Sequence, residues 1–214
     1  MGVLETIRVR NGRAPLLDRH AARLEAACRA LQLPPPREPL ARLLASRLGT
    51  EDGVVRVTVD SGGTSETSRP VPPIGPIAAI VARTRHTPYP FKVTDRAPFA
   101  AAHAEARAAG ADDALLLTPA GLVAEGTVWT IFWWDGDRLA TPPLALGVLP
   151  GVGRARVLEL EPTVERACRP RDLVGRSLFA TNAVRGVVSI SRLDDRSVPE
   201  DARTVRLAKG FWPE

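Results

Sequence analysis

The chain has 214 residues, 44% of them hydrophobic and 25% charged, with 29 Lys and Arg against 24 Asp and Glu for a formal net charge of +5. That is ordinary for a globular protein with enough material to bury a core, as one large domain or two small ones. The arginines are scattered among acids, without a basic run or basic–aromatic alternation, so a nucleic-acid-binding module has little support. No apolar run reaches membrane-spanning length and the N-terminal MGVLETIRVRNG has no apolar signal core, so neither insertion nor secretion is expected.

In chain order, Val3 to Arg10 reads as a strand and Asn11-Gly12 as a turn. Asp18 is placed to cap a helix from about Arg19, where Ala21, Leu24, Ala27, Cys28 and Leu31 recur at helical spacing. The prolines at 34–36 end it. A second helix is expected with Leu40, Leu43, Leu44 and Leu48 inward and Gly49 at its end. Residues 54–60 read as a strand, with Val55, Val57 and Val59 on one face and Arg56 on the other. The segment SGGTSETSRPVPPIGP, 61–76, reads as a polar, proline-rich loop, and 77–82 as a buried strand. A linker at 83–90 places a boundary between a small N-terminal α/β lobe, 1–85, and a larger C-terminal lobe, 86–214. Asp95 is placed to cap a helix from Ala97 to Ala109, with Pro98 in its first turn and Gly110 at its end. Short apolar segments (ALLL, LVAEG, TIFWW), the helix-like RARVLEL and SLFATNAVRGVVSI complete an α/β or α+β pattern in two lobes. Cys28 and Cys168 form no C-x-x-C pair, so reduced, partly buried thiols and a cytoplasmic setting are expected.

Only two of the basic residues are lysines, Lys92 and Lys209. Arginine keeps its proton near neutrality, whereas a pocket can strip lysine of it and leave a nucleophile. Lys92, in TPYPFKVTDR, is therefore a candidate for Schiff-base chemistry, often with pyridoxal phosphate, or else a solvated surface residue. That cofactor also needs an acid at its pyridine nitrogen and a phosphate cradle. Glu125, at the end of an apolar segment, is either that acid or a solvated strand-end glutamate. LPGVGR sets two glycines before a helix, where backbone N–H groups and the helix dipole can hold a phosphate; alone the signal is weak. Arg56 is either a second phosphate contact or a surface arginine. Thr181 and Asn182, in an apolar strand pattern, need polar partners or a ligand if buried. His20, His86 and His103 show no metal-ligand spacing; His20 and His103 lie on charged helices and read as solvated. The absence of G-x-S-x-G and H-E-x-x-H leaves serine-hydrolase and zinc-protease readings unsupported.

In this order, LETIRVRNGRAPLLDRHAARL, VRVTVD, FKVTDR, GADDALLLTPAGLVAEGT, TPPLALGVLPGVGR and FATNAVRG resemble the fold-type IV pyridoxal-phosphate enzymes, the class IV aminotransferases, over roughly residues 3–190. The resemblance implies a homodimer with a small α/β lobe and a larger mixed-sheet, pseudo-barrel lobe. It implies that Lys92 forms the Schiff base and moves protons, and that Glu125 pairs with the pyridine nitrogen. Arg56, the backbone of Val152 and Gly153, and the Asn182 region would hold the phosphate. Transaminases of the family carry a tyrosine five residues after the lysine, here Ala97, and favour a threonine where this chain has Gly153. PYPFKVTDR, GVLPGVGR and TNAVRG look more like the aminodeoxychorismate lyases, which form 4-aminobenzoate and pyruvate on the way to folate. Branched-chain and D-amino-acid aminotransferases, and a non-catalytic member, are the alternatives. Thr130 stands where an asparagine is common, and the Trp129, Trp133 and Trp134 cluster reads as core.

Overall fold

The computed structural model describes residues 1–34, 40 and 52–213. Strand β1 (Val3–Val9) ends in a two-residue turn, with Asn11 at φ +47° and Gly12 at φ +71°. Arg10 and Arg13 exchange backbone hydrogen bonds of 2.8 and 2.9 Å across it. Both central residues need positive φ, which explains the Asn-Gly pair. Helix α1 follows (Leu17–Ala30). It starts earlier than the sequence suggests, with Leu16 at the cap position; Asp18 lies inside the first turn, where its charge suits the helix dipole but does not cap.

Leu24, Ala27 and Cys28 bury the inner face of α1 as expected. His20 lies on that same face and is 1% exposed, so it is not the solvated residue its charged neighbours suggest. Spacing of four from Leu24 decides this over composition. Of the expected second helix only Leu40 is described, buried in the same core; Leu43, Leu44, Leu48 and Gly49 lie outside the described residues.

Strands β2 (Gly53–Asp60) and β3 (Gly63–Arg69) pair antiparallel, and the small sheet runs β1-β2-β3. The residues of β3 were expected to be loop. Their backbone instead completes the ladder of β2, with Arg56 opposite Thr67 and Val54 opposite Arg69. A strand whose faces are both polar gives no apolar alternation to read.

Among the described residues the second sheet has nine strands. It contains β4 (Ile77–Arg85), β5 (Asp113–Leu117), β6 (Val123–Gly126), β7 (Thr130–Asp135), β8 (Arg138–Thr141), β9 (Thr163–Glu165), β10 (Leu178–Asn182), β11 (Gly186–Leu193) and β12 (Arg196–Ser197). The order is β6-β5-β4-β11-β10-β7-β8-β9, with β12 on β11. β4 pairs parallel with both β5 and β11, and β8 with β9; the other pairings are antiparallel. The change between sheets falls between Arg69 and Ile77, upstream of the 83–90 boundary expected from sequence, because β4 joins the large sheet.

Helix α2 (Ala97–Ala108) buries Phe99, Ala102 and Ala106 against β4 and β5. Asp95 accepts from the Ala97 N–H at 3.1 Å, and Gly110 closes the helix at φ +66°. Helices α3 (Val152–Leu160) and α4 (Ala202–Gly210) cover one face of the large sheet. Phe132 and Phe179 stack there with ring centroids 5.0 Å apart. Trp129 and Trp133 enter the core on the opposite face, and Trp134 joins the α3–α4 side. Cys28 and Cys168 are free and buried. No described helix is long and apolar enough to cross a membrane.

The segment around Lys92 docks on the edge of β1. Leu4 N–H donates to the Lys92 carbonyl at 2.8 Å, and Thr94 N–H to the Gly2 carbonyl at 2.8 Å. Gly2 N–H donates to Thr94 Oγ1 at 3.1 Å, and Val3 bridges Val93.

Candidate active site

A cavity of about 550 Å³ brings together the residues proposed from the sequence to hold a cofactor: Arg56, Lys92, Glu125, Val152, Gly153 and Asn182, with Thr181 beside them. Lys92 is half-buried in it. Burial is the largest influence on its amine, and the Arg23 and Arg96 guanidinium groups add to it, with a smaller addition from Arg56. Glu5 opposes them, and the net result brings the pKa from 10.5 down to about 7. An ammonium in apolar surroundings beside three cations releases its proton readily, as a nucleophile or base must.

Glu125 lies in β6 and is 6% exposed, so it is not a solvated strand end. His86 Nε2 lies 2.9 Å from its Oε1, and the Leu149 N–H donates to the same oxygen at 3.2 Å. His86 is itself 3% exposed, just after β4. Two partners on one oxygen hold the carboxylate in place and leave Oε2 available to a ligand.

Helix α3 begins at Val152 after Gly151, without a side-chain cap. Its first backbone bond runs from Ala155 N–H to the Gly151 carbonyl at 2.9 Å, so the N–H groups of Val152 and Gly153 are not used by the helix. A Cβ on Gly153 would sit 2.9 Å from the Asn182 backbone and 3.0 Å from Thr181 Oγ1. One on Gly151 would sit 2.9 Å from Thr130 Oγ1. Thr181 is 1% exposed and its hydroxyl has no partner among the described residues. Free N–H groups, a helix N-terminus and an orphan hydroxyl suit a phosphate. Gly153→Ala should therefore cost about 1–3 kcal/mol through overpacking against rigid backbone. Calorimetry checks this, and binding of a phosphate-bearing ligand should weaken with it.

Asn182 lines the cavity, but its Oδ1 accepts from the N–H groups of Val184 and Arg185 at 3.0 and 2.9 Å. Its side chain holds the turn; the free hydroxyl beside the cradle belongs to Thr181. Arg56 is exposed on β2 and lines the cavity with no ion-pair partner among the described residues.

Arg23 is the site residue that sequence reasoning missed. It lines the cavity from α1 and donates from Nη1 to the Pro150 carbonyl at 3.3 Å, at the entry to the glycine turn. Glu5 fixes it from β1 with bonds of 2.7 and 2.6 Å, and His20 Nδ1 lies 2.7 Å from Glu5 Oε2. Burial pushes the Glu5 carboxyl up, but Arg23 with His20 outweighs it and holds the pKa at about 2. Burial pushes the His20 imidazole down. The available signal was Glu5: a carboxylate in an otherwise apolar strand needs a cation. His103 is half-buried and lines the cavity, so the solvated reading does not hold for it either.

Over 91% of its length the chain is 27% identical to the aminodeoxychorismate lyase of Bacillus subtilis, covering 78% of that protein. Over 59% of its length it is 29% identical to a protein described as a probable branched-chain-amino-acid aminotransferase of Thermotoga maritima. That match spans only 49% of the Thermotoga protein. The fold superposes on a hypothetical aminotransferase from Mycobacterium tuberculosis in its PLP-bound form, with a TM-score of 0.86 and 24% identity. That likeness covers 98% of this chain and 87% of the other. The amino-transferase class IV family matches residues 2–193, nearly the whole of both sheets, and the chain belongs to that family.

Proposed function

We propose that the chain is a pyridoxal-phosphate-dependent lyase that converts 4-amino-4-deoxychorismate to 4-aminobenzoate and pyruvate. The observation that carries the cofactor is one cavity holding a lysine with its pKa near 7, a fixed buried carboxylate and a glycine-lined cradle with an orphan hydroxyl. These residues fit the group. The Val152 and Gly153 N–H groups, Thr181 and Arg23 would hold the phosphate, with Arg56 on the same cavity. Glu125 would face the pyridine nitrogen and keep it protonated. When bound, the protonated ring withdraws electrons from the substrate carbon beside the amine.

Lys92 supplies the amine that holds the cofactor, then takes a proton from the substrate carbon and returns one where elimination needs it. Arg23 and Arg96 favour the neutral amine between these transfers. Arg96 is held by its bond to Tyr89 Oη at 3.0 Å, by the Thr127 carbonyl and by the Phe99 ring 4.5 Å away. The β1 edge fixes the Lys92 backbone, so the amine is oriented before substrate arrives.

The lyase reading is supported by Ala97, which offers no hydroxyl at the first position of α2, and by the extent of the match to the Bacillus lyase. The same reading makes the protein a cytosolic homodimer in folate synthesis. Branched-chain aminotransferase activity is the second reading, favoured by the Thermotoga relative. An elimination needs no amino acceptor; a transamination does. Holoenzyme given aminodeoxychorismate alone should release 4-aminobenzoate and pyruvate in equal amounts. No product, together with conversion of bound cofactor to its amine form by branched-chain amino acids, would overturn the lyase reading in favour of the aminotransferase.

A further inference from the structure

Glu125 lines the cavity, and what fixes it lies behind it. His86 follows β4 and is not among the described residues that line the cavity, whereas Glu125 and Leu149 are. Its Nε2 is nevertheless 2.9 Å from Glu125 Oε1, and both side chains are buried. A carboxylate has no hydrogen to give, so Nε2 carries the hydrogen of this bond and donates it.

Both donors to Oε1 come from segments that are tied in place and to each other. The His86 N–H donates to the Leu117 carbonyl of β5 at 2.8 Å, and β5 pairs with the strand that carries Glu125. The Tyr89 N–H donates to the Gly147 carbonyl at 2.6 Å, which joins the His86 segment to the one that carries Leu149. A Cβ on Gly147, at φ +78°, would lie 2.8 Å from Pro88 Cβ, so this approach of the two segments needs a glycine. Backbone bonds therefore set the distance between imidazole and carboxylate. Neither ring position nor carboxylate rotation depends on a flexible loop side chain.

We propose that His86 is a positioning residue for Glu125: it engages Oε1, so that Oε2 meets the ring nitrogen of the cofactor as part of an anion. The inference rests on the cofactor reading above and not on the choice between lyase and aminotransferase. Hydrogen bonds donated to a carboxylate favour its charged form. Without the imidazole, the Leu149 N–H at 3.2 Å is the donor left on Oε1 among the described residues. The carboxylate is then free to turn, and the proton it shares with the ring nitrogen moves onto it. The ring loses the charge that lets it withdraw electrons.

The test is the NMR resonance of the ring nitrogen in holoenzyme loaded with pyridoxal phosphate isotope-labelled at that atom, with no substrate present. The parent should show a protonated ring nitrogen. His86→Phe keeps a ring in place and removes the donor. It should move the resonance toward the unprotonated value and weaken cofactor uptake by about tenfold, as for a lost hydrogen bond to a charged group. His86→Gln, whose amide can donate from nearly the same place, should restore both. His86→Asn, whose amide falls short of Glu125, supplies the same contrast if the phenylalanine variant does not fold. Glu125→Gln should move the resonance by itself, and His86→Phe added to it should move it no further, because the histidine acts through the carboxylate. A ring nitrogen that stays protonated in His86→Phe and His86→Asn would overturn the role. So would a further shift of full size in the Glu125→Gln background. A parent that takes up no pyridoxal phosphate overturns the cofactor reading and the role together. A parent with a protonated ring and unresponsive His86 variants overturns the role alone.

Discussion

Lys92→Ala should give a folded protein that binds pyridoxal phosphate but fixes none of it on borohydride reduction. Turnover should fall by about 10²–10⁴-fold, the range a positioned acid–base group supplies. Folding should survive because the docking bonds at this position are made by the backbone: the Lys92 carbonyl accepts from Leu4 N–H whatever the side chain. Mass spectrometry of the reduced protein and a steady-state assay check the two halves. The pH dependence follows from the same amine. With its pKa down to about 7, Lys92 in the cofactor-free protein is protonated below that pH and reactive above it. Its rate of reaction with added cofactor should rise through pH 7 and then level off. The unfolded chain holds the proton up to about 10.5, so the folded protein binds fewer protons between the two values. This group therefore makes stability rise with pH across that window. Lys92→Ala removes that contribution. A rate that keeps climbing to pH 10 would show that the pocket does not depress the amine.

Arg23→Ala should cost about 3–5 kcal/mol, the penalty for leaving a buried charge without its partner. Glu5 is 1% exposed and accepts both of its short guanidinium bonds from Arg23. His20 alone would remain, and its imidazole is pushed down by burial, so it is a weak substitute. Arg23→Lys should recover only part of the loss, because one ammonium cannot make the two parallel bonds. Acid dependence carries the sign. The Glu5 carboxyl is held at about 2 against an ordinary value of 4.5. Its stabilisation is present above pH 4.5 and is lost as pH falls through 2. Urea denaturation at pH 7 and pH 3 should show the variant losing less on acidification than the parent. Cofactor affinity should fall as well, since Arg23 borders the glycine turn through the Pro150 carbonyl.

Lys92 was legible because it is one of only two lysine amines among many guanidinium groups, a chemical exception that composition exposes. The glycine turn was legible because glycines at a helix start can be read without knowing the fold, although the helix begins at Val152 and takes Gly153 into its first turn. Arg23 was not, because one more arginine on a charged helix carries no mark of its own. Only the pairing of β1 beside α1 turns Glu5 and Arg23 into neighbours. Thr181 and Asn182 were both flagged, but which one keeps a free polar atom depends on the turn after β10, and a strand pattern does not encode it. The strand β3 escaped for the opposite reason to the core strands. Its Thr, Ser and Glu residues make both faces polar, exposed or half-buried, and its order comes from the ladder of β2. The buried His20 shows local composition losing to helical phase.

The hydrogen bonds between Lys92–Thr94 and Gly2–Leu4 have a consequence for the energetics of the site. The reactive amine is covalently part of the chain that leads into the large sheet, yet its main chain extends the edge of the small one. Any fluctuation that frays the first strand releases the amine together with it. The effective molarity of the nucleophile is thus set by the opening free energy of the N-terminal strand. A substitution in that strand's apolar face, far from any reacting atom, would slow the chemistry by raising the fraction of time the lysine spends detached.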